Sequence, residues 1–149
     1  MATAQGAGTE IIRCANFEAV NSTDRVLIIG EQYHIYTILS IVAHTHSVGT
    51  GTDARLAVYI RGWDAIAAAQ DDIYIFQQNM IALDTFVWND KFSFNGYQPT
   101  GVSSIMDSPA EQTAIAAQGG SARQDLRCAT AHGSDNVDIV VTYIDQNNS

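Results

Sequence analysis

The strongest constraint on the fold is a succession of short apolar runs, each about four to eight residues long, separated by turn-forming residues. In Ala54–Arg61, Gln124–Thr130 and Val137–Ile144, apolar residues occupy every second position. This alternation places one face of a strand on the core and the other on solvent or a partner, as in antiparallel sheets. With eight or nine such runs, the sequence predicts an all-β fold: an antiparallel, jelly-roll-like β-sandwich of about eight strands.

Two runs, Tyr33–Val42 and Asp72–Gln77, are apolar on both faces. Such strands either lie centrally under another layer or turn their second face to another subunit, and central packing is the commoner arrangement. The segment Thr85–Phe94 predicts two short strands in a hairpin around Asn89 and Asp90, because Asn and Asp tolerate the positive φ of a tight turn. The remaining predicted strands are Glu10–Val20 and Val26–Ile29.

Residues 98–120 lack the alternation and contain both prolines of the chain. Within them, Ser108 can cap a helix, Pro109 suits its first position and Glu111 completes a capping box. An Ala-rich stretch follows and Gly119 can end the helix. The sequence therefore predicts one short helix inside a long loop excursion, and loops of this length are often functional.

The length of 149 residues fits one β-sandwich domain over residues 1–149. Residues 1–9 are small and polar, and we expect them to form a flexible N-terminal arm without the features of a signal peptide. No apolar stretch approaches the roughly 20 residues that a membrane-spanning helix needs.

The chain is acidic, with 16 acidic residues against seven basic ones and a net charge of −9. Lys91 is the only lysine, and the arginines are scattered rather than clustered. Since Lys and Arg supply most of the affinity for phosphates, we expect binding neither to nucleic acid nor to an anionic membrane.

The two cysteines, Cys14 and Cys128, are far apart in sequence. They could form a loop-closing disulfide, but without an export signal we expect two reduced, buried thiols. In apolar β surroundings a thiol stays protonated and inert.

The motifs that could carry catalysis are incomplete. His44 and His46 lie two residues apart, as in cupin-like metal sites, but the nearest downstream carboxylate is Asp53, so the third ligand is missing. Asp71 and Asp72 are adjacent and face opposite sides of a strand, unlike the paired carboxylates of a glycosidase. No nucleophile motif or phosphate-binding loop is present. We therefore expect a protein that is not an enzyme and has no cofactor or metal.

Trp63 and Trp88 suggest one alternative of another class. Each is placed near the end of a predicted strand, and exposed tryptophans on a β-sandwich can stack on sugars, as in a carbohydrate-binding module. Packing in the core or against another subunit is the more common role of such residues.

Four stretches of the chain carry a resemblance to a known group: Ala2–Arg13, Gln32–Ile41, Thr85–Gly96 and Val137–Asn148. In these segments the sequence resembles small virion structural proteins of tailed bacteriophages, especially phages of cyanobacteria. The resemblance implies a β-sandwich on the outside of the phage head, a decoration or cement protein that stabilises the lattice. It implies the major capsid protein and copies of the chain itself as partners, often as a trimer. A tail or fibre-base component is the alternative.

A decoration protein would be made in the host cytoplasm and would reside on the virion head surface. The contacts would come from the N-terminal arm, the excursion and one exposed tryptophan. The predicted interface residues are Thr3, Gln5, Tyr97, Gln98, Met106 and Trp63.

Overall fold

The computed structural model describes residues 5–49, 51, 53–100, 108–116 and 122–148. Within these ranges the chain forms strands and one short helix, in the order β1 (Glu10–Val20), β2 (Arg25–Ile28), β3 (His34–Ser47), β4 (Ala54–Asp64), β5 (Ala69–Met80), β6 (Thr85–Trp88), β7 (Phe92–Asn95), β8 (Tyr97–Gln98), α1 (Pro109–Ala116), β9 (Ala122–Arg123), β10 (Asp125–Ala129) and β11 (Asn136–Asn147).

The strands form two antiparallel sheets that pack face to face. Sheet 1 has the order β1-β11-β3, with β6 and β7 both pairing with the far side of β3. Sheet 2 has the order β2-β10-β4-β5, and β8 pairs with β9 in a separate two-stranded ribbon. If β6 and β7 are counted as one strand, each sheet has four strands, and their order is that of an eight-stranded jelly roll. The predicted all-β sandwich is confirmed.

The core lies between the sheets and is built by the alternation seen in the sequence. Residues that point inward alternate along β3, β4 and β11, with a one-residue shift in β3 between Ile38 and Ile41, and the central aliphatic side chains among them are 0% exposed. Each fully buried Leu, Ile or Val contributes about 1.5–3 kcal/mol relative to an exposed position. The central members are Ile38, Ile41, Leu56, Val58, Leu126, Val137, Ile139 and Val141.

The predicted hairpin at Thr85–Phe94 is wrong. Both of its strands pair with β3 instead of with each other, β6 through Trp88 opposite Ile41 and β7 through Phe92 opposite Ile38. They run in the same direction, as one edge strand interrupted at residues 89–91. The reason is the aromatic side chains of β6 and β7, which pack against the core and therefore keep both strands along β3.

The two runs that are apolar on both faces have different positions. Tyr33–Val42 lies largely within β3, between β11 and the β6–β7 edge, and so has the central position that was expected. Asp72–Gln77 lies in β5, at the edge of sheet 2, with Ile73 and Tyr74 exposed. For this run the second face is open rather than covered.

The predicted helix is present as α1, and the Glu111 N–H donates to Ser108 Oγ at 3.2 Å, as a capping residue requires. Gly119 lies outside the described residues. No helix among the described ranges is both long and apolar enough to span a bilayer. At the N-terminal end, Gly8 N–H donates to the carbonyl of Asn147 at 2.6 Å, so residues 5–9 of the predicted arm run beside the end of β11.

Candidate functional site

Two of the predicted interface residues meet in one cleft. Trp63, near the end of β4, and Gln98, at the end of β8, line an open cleft of about 420 Å³ together with Ile60, Ile73, Phe94 and Gln124. Tyr97 is the neighbour of Gln98 on β8 and pairs with Arg123 of β9. The cleft therefore lies beside β8, at the start of the loop excursion.

Gln124 organises this cleft, although no sequence pattern pointed to this residue. The Trp63 N–H donates to Gln124 Oε1 at 3.1 Å, and Gln124 Nε2 donates to the Asn95 carbonyl at 2.9 Å. Its own N–H donates to the Gly96 carbonyl at 2.8 Å. One buried amide side chain thus ties β4, β7 and the start of β10 together.

Gln5 lies elsewhere, at the end of β11. Gln5 Nε2 donates to the carbonyls of Thr9 at 2.9 Å and Asp145 at 2.8 Å, and Asn147 Nδ2 donates to the Gln5 carbonyl at 3.0 Å. The side chain is used to hold the N-terminal segment against β11. Thr3 and Met106 lie outside the described residues, and the contact role of all six predicted residues stays a prediction.

The outward face of sheet 1 has a broad region without charge. The strand register sets Asn16 opposite Val140, Val140 opposite Val42, and Val42 opposite Val87, and the flanking rows continue in the same way. Every side chain in these rows is partly or fully exposed. We call this region the uncharged face; it comprises Ile12, Cys14, Asn16, Thr37, Ser40, Val42, Val87, Ser93, Val140, Thr142 and Ile144.

Charged residues lie at the two ends of the uncharged face and at its side edge, where Asp90 and Lys91 follow β6. Glu10 is at one end; at the other, Asp138 is opposite His44 in the strand register. His46 Nε2 and Asp138 Oδ2 are 2.5 Å apart, and His44 Nδ1 is 2.8 Å from the Thr85 hydroxyl. Burial has the largest single effect on Asp138 and opposes its ionisation, but the hydrogen bonds with His46 and the Ala19 N–H and the nearby histidines together outweigh it and lower the pKa of the carboxyl.

The histidine pair is half of a metal site at most. The rings of His44 and His46 are 5.1 Å apart and nearly perpendicular. Within the described ranges, no three His, Cys, Asp or Glu residues are grouped so that they could hold a metal ion. The arrangement orders one end of sheet 1, since Asp138 also accepts the Ala19 N–H at 3.3 Å.

A partly buried ionic cluster lies near the other end of β3, and no sequence pattern indicated it. His34 Nδ1 is 2.6 Å from Asp145 Oδ1, and its Nε2 is 3.2 Å from Glu31 Oε2. Arg13 Nε is 3.3 Å from the second oxygen of Asp145. Both ring nitrogens of His34 are engaged, so the ring has no free nitrogen to act as a base toward a substrate. The cluster joins β1, β3 and β11 and is a structural clamp.

Both cysteines are free thiols. Cys128 is buried in the core, and burial raises its pKa to about 12, as expected for an inert thiol. Cys14 is exposed on the uncharged face, where the Thr142 hydroxyl is 3.7 Å from its sulfur. The expectation of two buried thiols is therefore right for Cys128 and wrong for Cys14, because the Cys14 side chain lies on the outward face of sheet 1, opposite Thr142.

The two tryptophans have different environments. Trp88 stacks on Phe76 with 4.8 Å between ring centroids and packs against the core, while staying partly exposed. Trp63 lines the open cleft described above.

No protein-family model and no curated protein matches the chain. Among solved structures, it is similar to Bacillus endospore appendages, disulfide-linked pili, with 11% identity and a TM-score of 0.42 over 100% of this chain and 96% of that chain. It is also similar to infectious bursal disease virus strain Gx, with 9% identity and a TM-score of 0.43 over 99% of this chain and 36% of that one. A third similar structure is the naturally occurring empty top component of cowpea mosaic virus, with 13% identity and a TM-score of 0.39 over 94% of this chain and 84% of that chain. Likenesses this distant carry no argument about function.

Proposed function

We propose that this chain is a non-enzymatic structural protein of a phage virion, a decoration protein that binds the outside of the head and stabilises its lattice. The observation that carries the proposal is the uncharged face of sheet 1. The phage assignment itself comes from the resemblance of four sequence segments to virion structural proteins.

The uncharged face suits a protein contact because its desolvation is inexpensive. Its side chains are Ile, Val, Thr, Ser, Asn and Cys, which combine apolar contact area with neutral hydrogen-bonding groups. Burying unpaired charges would cost several kcal/mol each, and this face carries none. In a chain of net charge −9, none of the eleven residues of the uncharged face carries a charge, and Asp90 and Lys91 lie beside it, where the edge strand is interrupted between β6 and β7.

The proposal of a non-enzymatic role draws support from the clusters of titratable groups. The His34 ring is held by carboxylates on both nitrogens, and His46 is paired with Asp138. Each of these clusters joins neighbouring strands, which is a structural task. A rigid sandwich with such clamps keeps its contact surface in one shape.

The proposed stabilisation acts by linkage. A protein that binds only the assembled lattice lowers the free energy of that state and leaves the dissociated subunits unchanged. A trimer would present the uncharged face three times, and linked contacts multiply a modest single affinity. The proposed partners are therefore the major capsid protein and further copies of this chain.

Immunogold electron microscopy with antibody against this chain tests the proposal, applied to virions from the lysate in which the chain is made. We expect gold label over intact heads and a matching layer of density on the lattice in a particle reconstruction. Label confined to the tail would support the tail or fibre-base alternative. Absence of the chain from purified virions would refute a virion role altogether.

Trp63 keeps a carbohydrate-binding role open as a second candidate, since it lines an open cleft with the amide side chains of Gln98 and Gln124. A glycan array separates the two. Binding that a Trp63→Ala substitution abolishes would favour this candidate; labelled heads with no array signal would favour the decoration protein.

A further inference from the structure

A polar groove crosses the outward face of sheet 2, on the side of the sandwich opposite the uncharged face. It has a volume of about 280 Å³, and its lining includes Arg55, Ala57, Tyr59, Tyr74 and Ala129. Arg55 and Tyr59 are four residues apart on β4, which places their Cα atoms about 13 Å apart along the strand. The groove is therefore long enough for two sugar units.

One end of the groove holds two carboxylates in fixed positions. Arg61 binds Asp72 through two hydrogen bonds, at 2.7 and 3.1 Å, and Asp24 through a third at 2.9 Å. The Tyr59 hydroxyl donates to the other oxygen of Asp24 at 2.5 Å. This hydrogen bond lowers the pKa of Asp24, so its carboxylate stays ionised. Each oxygen keeps a free lone pair that can accept a sugar hydroxyl.

An aromatic ring stands beside these carboxylates. Tyr74, on the edge strand β5, is 56% exposed, and its ring leans on Tyr59 with 5.5 Å between centroids. The Arg61 guanidinium carbon lies 5.9 Å from the centre of the Tyr59 ring. An exposed ring that its neighbours hold in place is the kind of platform on which the apolar face of a sugar packs.

The other end of the groove holds a cation and an amide. Arg55 has no ion pair within the part of the chain that the structure describes, and Gln77, opposite Ala57 on β5, is exposed. Between the two ends the floor is made by Ala57 and Ala129, which leave room for a ligand. The guanidinium fork of Arg55 matches a carboxylate in two-point geometry.

We propose that this groove binds an acidic disaccharide segment of a glycan: a neutral sugar packs on Tyr74 and donates its hydroxyls to Asp24 and Asp72, while the carboxylate of a neighbouring uronic acid pairs with Arg55. Arg55 and Arg61 balance Asp24 and Asp72, so the groove has no formal net charge although the chain carries −9. An acidic sugar can therefore approach the Arg55 end.

Titration of the full chain with two disaccharides, followed by amide chemical shifts in NMR, tests the proposal. The probes are cellobiouronic acid, which joins glucose to glucuronic acid, and cellobiose, its neutral counterpart. We expect cellobiouronic acid to shift the groove resonances with a dissociation constant on the order of 1 mM. Cellobiose should bind about five-fold more weakly or less, because it lacks the charge-assisted contact.

Three variants locate the site. Arg55→Gln should bring the two sugars to equal affinity, Tyr74→Ala should abolish both titrations, and Trp63→Ala should change neither. The altered groove residues are exposed, so unshifted resonances of the core will show that each variant is folded. Absence of saturable shifts up to about 20 mM would overturn the inference. So would equal binding of the two sugars by the unaltered chain, or loss of binding on replacing Trp63 rather than Tyr74.

Discussion

Replacing Val42 with aspartate or with lysine places a charge in the middle of the uncharged face. Val42 lies on β3 with Val140 on one side and Val87 on the other. Three rows of side chains on four strand positions, with strands about 4.8 Å apart and rows about 6.7 Å apart, cover roughly 20 Å by 20 Å, or about 400 Å². If half of that area is apolar, its burial contributes about 5 kcal/mol.

That contribution is close to the lower end of what association costs, about 4–15 kcal/mol, so a single face binds weakly and depends on repeated contacts. A buried, unpaired charge costs several kcal/mol even after relaxation. With a loss of about 3 kcal/mol, Val42→Asp and Val42→Lys should each weaken binding by roughly 150-fold. Val42→Thr keeps the shape and adds no charge, so it should bind within a few-fold of the unaltered chain.

The assay is co-sedimentation with heads from which the native chain has been stripped in dilute urea, with urea unfolding of each free variant as the control. The outward position means that the charge costs the fold only about 1 kcal/mol, the usual range of strand propensities. If only one of the two charged variants binds more weakly, electrostatic complementarity rather than desolvation governs the contact. Full binding by both charged variants would refute the assignment of this face.

Other perturbations test the fold and its titrating groups. Leu56→Ala should lower the free energy of unfolding by about 2–5 kcal/mol, since Leu56 is 0% exposed, and a loss below 1 kcal/mol in urea unfolding would contradict its core position. Gly96→Ala should destabilise by more than 1 kcal/mol, because the added Cβ would lie 2.1 Å from the Glu31 carbonyl oxygen; an unchanged urea midpoint would argue against that close approach. Asp24→Asn should reduce the free energy of unfolding more at pH 7 than at pH 3. The hydrogen bond from Tyr59 lowers the pKa of Asp24, so the ionised carboxylate stabilises the fold above about pH 4, and this stabilisation is lost as the pH falls through the pKa of the folded state. Equal losses at both pH values would disprove this role of Asp24.

Much of the fold could be predicted because alternation is a local property. Leu56 and Val58 point inward for the same reason that Arg55 points outward, and this is readable from eight consecutive residues. Strand partners are not local. Asn89 and Asp90 suit a hairpin turn by their own chemistry, yet the neighbouring aromatic rings pack into the core and hold β6 and β7 along β3. The turn preference of Asn89 and Asp90 was identified correctly, but packing of the aromatic rings against the core determined the strand partners.

The proposed contact surfaces and the ionic cluster were harder to predict because each combines residues that are distant in sequence. His34 and Asp145 are 111 residues apart and meet only through the pairing of β3 with β11. The uncharged face consists of the outward residues of strands that also supply the core, so its neutrality is visible only once the register is known. Trp63 and Gln98 could be proposed singly; their shared cleft depends on Gln124, a buried amide with no sequence signal.

The sandwich separates the two proposed contact surfaces physically. Its sheets pack about 10 Å apart, and side chains add to both sides, so Val42 on sheet 1 and Tyr74 on sheet 2 face opposite directions with the core between them. A copy seated on a head by its uncharged face would therefore turn the groove toward the surrounding solution, where glycans of a cell surface are met. Because the two sites share no residue and no direct contact, changes in one should add to changes in the other without coupling. The groove can thus bind sugar whether or not the chain decorates a head, and each assignment stands or falls on its own measurement.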